Sequence, residues 1–312
     1  PIGSPMASPA ATSSSLTSTG RSVSWAAGLS SSRDASDLAR RCFRDLMTVI
    51  VLARSAVAPG SRLPVDNFRV RAPMVGGVHR LDVALGSRLI PFQEGWELQR
   101  RIHEEVVGER RPSTLIMLEH EPVYTVGRRA HSWERPDSGF VEPGHVPVVD
   151  VDRGGKTTWH GPGQLTVYPI VRLASPIDVI QYVRALEAAV IEVCADYGLA
   201  AIRVEGRSGV WIGAEPDSPS PFRAVERKIC ALGVRVARGV TMHGIGLNVN
   251  PDLTAFSLDR IVPCGIDDAG VTSLVVETGQ RLRAADVADD VAAALAAHLT
   301  PLVAQDTPIH SA

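Results

Sequence analysis

The stretch RGGKTTWHGPGQ, residues 153–164, joins two short apolar runs at residues 146–151 and 165–171. Runs of that length and composition are typical of β-strands. Glycine lets the backbone between them lie directly against a ligand and turn its N–H groups towards it. The stretch contains neither GxxxxGK(S/T) nor GxGxxG, the patterns of common nucleotide-binding loops. It therefore predicts a glycine-rich loop between two strands, with no preference for a nucleotide.

Outward from this loop, the sequence predicts many short strands and few helices. A one-sided apolar pattern predicts a helix over residues 91–108. A second helix is predicted to begin with Ser175 as N-cap and Pro176 in its first turn, and to stop at Gly198. A third is predicted over residues 286–299, and further strands at residues 114–118, 123–126, 210–212, 231–236 and 244–250. This arrangement favours an α+β fold with a mixed sheet over a regular βαβ alternation.

The composition is that of a globular enzyme. Of the 312 residues, 45% are hydrophobic and 21% are charged, which is enough apolar material for a substantial core. The formal net charge of -2 gives no electrostatic reason for binding nucleic acid or an anionic membrane. We therefore expect neither as a partner.

The N-terminal part of the chain differs in composition from the rest. We predict a disordered extension over residues 1–75, a single folded domain over residues 76–302 and a flexible tail over residues 303–312. The Arg-rich start also fits an organelle transit peptide, or a translation start placed upstream of Met74. The apolar run after Arg40 and Arg41 is interrupted by Arg54, which argues against an export signal, and it is too short to span a bilayer.

The cysteines are the first candidates for covalent chemistry. None of the four belongs to a CxxC pair, which argues against a metal site or a disulfide scaffold and favours a reducing, cytoplasmic location. Cys42 lies in the N-terminal extension, while Cys194 on a predicted helix and Cys230 in a predicted strand are interpreted as core residues. The tight turn PCG presents the thiol of Cys264, which is the candidate nucleophile.

Lysine is rare in this sequence. Lys156 and Lys228 are the only lysines among 32 Lys and Arg residues. Arginine stays protonated in proteins, whereas a buried lysine can exchange a proton, and a cation beside a thiol raises its thiolate fraction. Lys228 is therefore the candidate activator of Cys264. The alternative is a solvated lysine in the charged run that it forms with Glu226 and Arg227.

Several stretches resemble, in the same order, the signatures of the lipoyl(octanoyl) transferases, the LipB family. Residues 153–164 resemble its RGGxxTxHGPGQ signature, and residues 228–233 resemble its K(I/V)AxxG stretch. Residues 242–248 resemble its HGxALN stretch, and residues 263–266 resemble its nucleophile turn. Three further stretches also agree with the family: residues 118–125, 209–211 and 271–274. The resemblance spans roughly residues 80–300. Cys230 and Gly246 stand where the family usually has Ala, which predicts altered packing rather than lost activity.

The resemblance implies a mixed, largely antiparallel sheet flanked by helices, of the biotin and lipoate protein ligase catalytic-domain type. It implies an acyltransferase that moves an octanoyl group from octanoyl-acyl carrier protein to a lysine of a lipoyl domain. The expected acceptors are the 2-oxoacid dehydrogenase subunits and the glycine cleavage H protein. Cys264 would carry the octanoyl group as a thioester, and Lys228 would activate it. We expect no cofactor, no metal, no ATP requirement and a monomer.

The same resemblance implies a substrate-binding surface in which glycines make room for a thin apolar chain. Its residues lie in three stretches of the sequence: Arg153, Gly154, Gly155, Lys156, Thr157, Thr158, Trp159 and His160; Ala231, Leu232 and Gly233; and Gly244, Ile245 and Gly246.

Three other functions remain open from the sequence. An ATP-dependent lipoate-protein ligase would form an acyl-adenylate and would need no nucleophilic cysteine. A cysteine hydrolase would need an Asp or Asn to orient a histidine, and the sequence shows none clearly placed to do so. A catalytically silent acyl- or lipoyl-domain-binding protein would have no use for both Lys228 and Cys264.

Overall fold

The computed structural model describes residues 68–70, 77–132, 135, 138–257 and 268–304. Cys42, Cys264 and most of the predicted extension and tail lie outside these residues. In chain order the strands are β1 (Phe68–Val70), β2 (His79–Val83), β3 (Thr114–Leu118), β4 (Val123–Val126), β5 (Phe140–Val141), β6 (Val146–Asp150), β7 (Thr157–His160), β8 (Gln164–Ile170), β9 (Ala201–Val204), β10 (Arg207–Ile212), β11 (Arg227–Ala237), β12 (Val240–Asn248) and β13 (Gly270–Val271). The helices are α1 (Phe92–Val107), α2 (Val179–Asp196), α3 (Leu274–Thr278) and α4 (Ala288–Leu299).

Most of the described strands form one mixed, largely antiparallel sheet. Its nine strands run in the order β1-β2-β3-β8-β12-β11-β10-β9, with β13 paired to β11. The β2–β3 and β11–β13 pairs are parallel and the other pairs are antiparallel. The expected sheet type is therefore confirmed. Because β1 belongs to this sheet, the sheet begins within residues 1–75, ahead of the predicted domain start at residue 76.

Helices cover both faces of this sheet. Alternate side chains of β3, β8, β10 and β12 pack against α2 and α4 on one face, as the period-two pattern of a strand requires. The intervening side chains, among them Ile116, Tyr168 and Met242, pack against α1 on the other face. Gln164 and Asn248 belong to this second set of positions, so polar groups of β8 and β12 lie on the α1 face. None of the described helices is long and apolar enough to cross a bilayer.

A second, four-stranded sheet in the order β5-β6-β4-β7 carries part of the opening stretch. Residues 153–156 are the loop that leads into β7, residues 157–160 form β7 paired with β4, and Gln164 begins β8 in the large sheet. The prediction of one continuous loop over residues 153–164 was therefore wrong. The β-branched and aromatic residues of TTWH favour a strand, and the glycines on either side obscured it.

The predicted helices and strands are otherwise confirmed, apart from two helix starts. The second helix begins at Val179, where the carboxylate of Asp178, not Ser175, accepts a 2.9 Å hydrogen bond from the Gln181 N–H. Both side chains are good N-caps, and the sequence alone did not decide between them. The last helix begins at Ala288, after a short 3-10 helix at Ala284–Asp286.

A β-bulge in β11 determines which way Lys228 points. Val210 pairs with Cys230, but the next residue, Trp211, pairs with Lys228, so Ile229 is an extra residue on β11. Ile229 and Cys230 both enter the core under α2 and α4, which a regular strand does not allow for neighbours. Without the bulge, Lys228 would share the core face with Cys230. With it, Lys228 turns towards the α1 face.

Gly209 makes room for the bulge. Its φ is +117°, and a Cβ there would lie 2.7 Å from the Cys230 carbonyl oxygen and 3.3 Å from Lys228 Cε. Gly209→Ala is therefore expected to reduce the free energy of unfolding by roughly 2–4 kcal/mol, measured by urea denaturation. Gly206→Ala is the matched control, because Gly206 also has a positive φ, +76°, but a Cβ there meets nothing within 4 Å. It should cost about 1 kcal/mol. Equal losses in the two variants would mean that the bulge does not depend on Gly209.

Candidate active site

The amine of Lys228 lies in a small buried cavity on the α1 face. The side chain is only 6% exposed, and Nζ is 4.6 Å from the centre of the Trp211 ring. Among the described residues it forms no ion pair. The cavity has a volume of about 20 Å³, enough for one water-sized group, and is lined by Thr158, Gln164, Trp211, Lys228, Ala231, Asn248, Phe256, Ala269, Gly270 and Val271.

The same cavity is bordered by both flanks of the segment that contains Cys264. Phe256 precedes that segment and Gly270 and Val271 follow it, and all three line the cavity. β13 pairs in parallel with Arg227 and Lys228, and the Thr272 N–H donates to the Lys228 carbonyl oxygen at 2.9 Å. Cys264 lies six residues before Gly270 (270 − 264). Six residues span at most about 20 Å between Cα atoms, so the sequence separation alone allows Cys264 to be close to β13.

A directional chain of hydrogen bonds runs beneath the cavity. Gln164 Nε2 donates to Asn248 Oδ1 at 2.9 Å, and Asn248 Nδ2 donates to the Thr272 carbonyl oxygen at 3.0 Å. Gln164 Oε1 must therefore accept from His160 Nδ1, 2.7 Å away. A Cβ on Gly246 would lie 2.7 Å from the same Oε1 atom. Glycine at 246 thus leaves room for the Gln164 amide.

Arg153 organises the glycine-rich loop from inside. The side chain is 7% exposed, and its guanidinium donates to the carbonyl oxygens of Gly154, Lys156 and Thr125 at 2.9 Å each. A Cβ on Gly233 would lie 2.8 Å from Arg153 Cδ. Arg153 and Gln164 thus occupy the space above two of the glycines that the sequence interpretation left to a substrate chain.

The structure brings together only some of the predicted site residues. Thr158, Lys228 and Ala231 line the Lys228 cavity, and Trp159 lines a neighbouring cleft of about 670 Å³. Leu232 and Ile245 point to the opposite face and pack in the core under α2 and α4. A Cβ on Gly244 would lie 2.2 Å from the Val167 carbonyl oxygen, so this glycine permits close packing of β8.

The two other cysteines in the described part of the chain are core residues, as predicted. Cys194 and Cys230 are fully buried. Burial raises the pKa of the Cys194 thiol to about 12 and that of Cys230 well above its usual range. Neither forms a thiolate near neutral pH.

The sequence did not reveal the hydrogen-bonded pair of Asp152 and His243 on the α1 face. His243 Nε2 donates to Asp152 Oδ1 at 2.8 Å, so the sequence interpretation that no Asp is placed to orient a histidine was wrong. Burial alone would raise the pKa of Asp152, but the hydrogen bond from His243 and the charges of Arg235 and Arg100 lower it to about 2. The available signal was the position of Asp152, directly before the glycine-rich loop. The partner lies 91 positions away (243 − 152) and could not be identified.

Backbone conformation places His243 in this pair. Its φ is +58°, a left-handed conformation that is uncommon for a residue with a side chain. Its N–H donates to Gln99 Oε1 at 2.9 Å. The ring packs against Trp96 of α1 and Tyr168 of β8. His243 therefore reaches the α1 face from a position at which strand alternation predicts the core.

Two further histidines on this face are buried in the neutral form. His120 Nδ1 donates to the Ile90 carbonyl oxygen at 2.8 Å, so Nε2 accepts from the Tyr168 hydroxyl at 2.7 Å. Burial lowers the pKa of His120 to about 4. Burial and the charges of His120 and Arg153 lower that of His160 to about 3. Neither ring carries a proton charge near neutral pH.

A model of the lipoyl protein ligase A/B catalytic domain matches residues 91–296. An octanoyltransferase from Thermobifida fusca is 55% identical over 215 residues, covering 69% of this chain and 87% of its own. One from Mycolicibacterium smegmatis is 52% identical over 206 residues, covering 66% and 84%.

Solved structures of lipoate protein ligases are more distant. A bi-partite lipoate protein ligase from Thermoplasma acidophilum is 15% identical with a TM-score of 0.46, covering 73% of this chain and 83% of its own. A lipoate-protein ligase A bound with ATP is 16% identical with a TM-score of 0.45, covering 65% and 80%.

The neutral histidines make stability depend on pH. An unfolded histidine titrates near ~6.5, above the folded values, so the unfolded chain binds more protons between pH 6.5 and 4. The free energy of unfolding should therefore have its full value above pH 6.5 and decrease as the pH drops towards 4. Each histidine should contribute a loss of about 2 kcal/mol at pH 5.

The test compares urea denaturation at pH 7 and pH 5. His120→Gln should lose about 2 kcal/mol less than the wild type between the two pH values, because one titrating group is gone. Gln93→Asn, which removes no titrating group and lies at an exposed position, should keep the wild-type loss. An unchanged pH dependence in His120→Gln would show that His120 is not the group responsible.

Proposed function

This chain belongs to the lipoyl protein ligase A/B catalytic-domain family and, within it, to the octanoyltransferases of protein lipoylation; from that membership we propose a two-step transfer through Cys264. The donor is octanoyl-acyl carrier protein, and the acceptor is a lysine of a lipoyl domain. Cys264 carries the octanoyl group between them as a thioester. Lys228 activates the thiol and handles its proton.

The position of Lys228 supports this proposal most strongly. A buried cation is costly unless the protein uses or compensates it, and this amine has no carboxylate partner among the described residues. It faces a cavity whose walls include the residues on both sides of the Cys264 segment. A thiolate there would be stabilised by the ammonium, which is the usual way a cysteine nucleophile is activated.

In the first step, the Cys264 thiolate adds to the carbonyl carbon of the donor thioester. The bond to the pantetheine sulfur then breaks, and that sulfur leaves as a thiol with a proton from the Lys228 ammonium. Octanoyl-Cys264 and a neutral lysine remain. Arginine could not supply this proton, because its guanidinium stays protonated in proteins.

In the second step, the acceptor lysine amine adds to the carbonyl carbon of octanoyl-Cys264. Its extra proton passes to the Lys228 amine, and the Cys264 thiolate leaves. The products are an octanoyl amide and the starting pair of charges. Because a thioester is converted into an amide, the reaction is downhill without ATP, and ping-pong kinetics follow.

The partners follow from the same reaction. The proposed acceptors are the lipoyl domains of 2-oxoacid dehydrogenase subunits and the glycine cleavage H protein. We propose that the enzyme acts as a monomer.

The covalent step can be tested by intact-mass measurement. Purified protein incubated with octanoyl-acyl carrier protein and no ATP should gain the mass of one octanoyl group, since transfer between thioesters needs no other energy source. Cys264→Ala should gain none, while Cys194→Ala, in the core, should gain the same mass as wild type. Acylation that appears only with ATP would instead support an ATP-dependent lipoate-protein ligase. Release of free octanoate with no gain on a lipoyl domain would support a hydrolase.

Lys228→Arg separates charge from proton transfer. It keeps a cation but removes the exchangeable proton and places a bulkier group in a cavity of about 20 Å³. The turnover rate is expected to fall roughly 100-fold or more, the contribution typical of a positioned acid or base. Lys228→Met, which loses both properties, should fall at least as far. Near-wild-type turnover by Lys228→Arg would leave Lys228 a purely electrostatic role.

A further inference from the structure

The cleft next to the Lys228 cavity takes no part in the steps described so far. Its volume of about 670 Å³ lies within the range of small-molecule sites, roughly 300–1,000 Å³. Three stretches of chain border both spaces, and in each stretch one residue lines the cavity and its neighbour lines the cleft: Thr158 and Trp159, Gln164 and Gly163, and Phe256 and Ala255. A molecule bound in the cleft would therefore lie directly beside the Lys228 cavity.

The walls of the cleft combine apolar and neutral polar surface. Leu89 and Trp159 contribute apolar side chains, while Ser87 and Asn250 are exposed polar residues. The Trp159 ring packs edge-on against Phe256, with ring centres 5.3 Å apart, so it forms a fixed part of the wall. Such a surface suits a thin ligand that carries both apolar groups and neutral hydrogen-bonding groups.

The two carboxylates that line the cleft already bind its own backbone. Glu119 Oε2 accepts a hydrogen bond from the Gly163 N–H at 2.8 Å. Asp252 Oδ1 accepts one from the Thr254 N–H at 3.0 Å, as the N-cap of a short 3-10 helix. Both acids therefore stabilise the walls, which argues against a cationic ligand.

Two arginines at the cleft are engaged less firmly. Arg88 pairs with Glu94 at 2.9 Å and Arg283 with Asp286 at 2.6 Å, but the two arginine side chains are 48% and 78% exposed. Neither of these two carboxylates lines the cleft. Exposed ion pairs contribute little free energy, so each guanidinium can exchange its partner for another anion. The planar guanidinium matches the oxygens of a phosphate particularly well.

We propose that this cleft binds the phosphopantetheine arm of the acyl-carrier donor. The assignment rests on the proposed donor, octanoyl-acyl carrier protein. The arm has a sulfur at one end, amides, a hydroxyl and paired methyl groups along its length, and a phosphate at the other end. The phosphate binds Arg88 and Arg283, the methyl groups contact the apolar wall, and the sulfur end lies beside the Lys228 cavity. No covalent bond forms or breaks in this binding step.

The test measures the binding of phosphopantetheine and of pantetheine by isothermal titration calorimetry. Neither probe carries an acyl group, so the result does not depend on transfer through Cys264. Wild type should bind phosphopantetheine roughly tenfold more tightly than pantetheine, because hydrogen bonds between guanidinium and phosphate are charge-assisted. The double variant Arg88→Gln with Arg283→Gln should bind the two probes equally.

Two further variants make the test specific to the cleft. Arg281→Gln is the matched control, because Arg281 is exposed, does not line the cleft and lies two positions from Arg283 (283 − 281). It should keep the tenfold difference. Ser87→Trp places a large side chain at an exposed position on the cleft wall and should abolish binding of both probes. Thermal unfolding verifies that each variant is folded.

Three results would overturn the assignment. The first is wild-type protein that binds neither probe, and the second is wild-type affinity for phosphopantetheine in the Ser87→Trp and double arginine variants. The third is a double arginine variant whose KM rises for a lipoyl domain and not for octanoyl-acyl carrier protein, because the cleft would then serve the acceptor. Failure of wild type to accept an octanoyl group from the carrier would reject the proposed transfer and leave the binding result intact.

Discussion

The extra residue Ile229 in β11 is the constraint on which the site depends. Strand alternation alone would direct Lys228 and Cys230 to the same side of the sheet, and Cys230 is fully buried under α2 and α4. An ammonium group in that core would lose its hydration with nothing to replace it. The bulge resolves this conflict by turning one side chain without breaking the pairing of β11 with β12. It also sets Trp211 directly opposite Lys228, so the cation and the ring that holds it are placed by one irregularity.

Two buried histidines on the α1 face of the sheet stay uncharged. His120 and His160 are neutral because burial disfavours their protonated forms. Each ring donates a hydrogen bond to a neighbouring oxygen, His120 to the Ile90 carbonyl and His160 to the Gln164 amide. The chain from His160 through Gln164 and Asn248 to Thr272 fixes the floor of the cavity and ties it to the strand that follows the Cys264 segment. The carboxylate of Asp152 accepts a hydrogen bond from His243 and forms an ion pair with Arg235.

Much of the fold was predictable because it follows from local periodicity. The helix α1 and the strands β3 and β4 match their predicted bounds closely, since apolar spacing records the face that each element buries. Lys228 was also identifiable, because it is one of two lysines in a chain of many arginines. Three features were not predictable for a common reason. The bulge at Ile229, the left-handed His243 and the Asp152–His243 hydrogen bond all depend on which residues meet across strands, and no spacing within one segment records that.

The parallel pairing of β13 with β11 also has a kinetic meaning. Gly270 and Val271 are paired with the strand residues Arg227 and Lys228, and Cys264 lies six residues before Gly270 in the sequence. A tether of that length makes the meeting of thiol and amine an intramolecular event, with an effective concentration on the order of mM. That value is set by the covalent chain and the sheet, and it does not depend on how dilute the enzyme is. In the proposed transfer, therefore, only the encounters with the donor and with the acceptor are bimolecular.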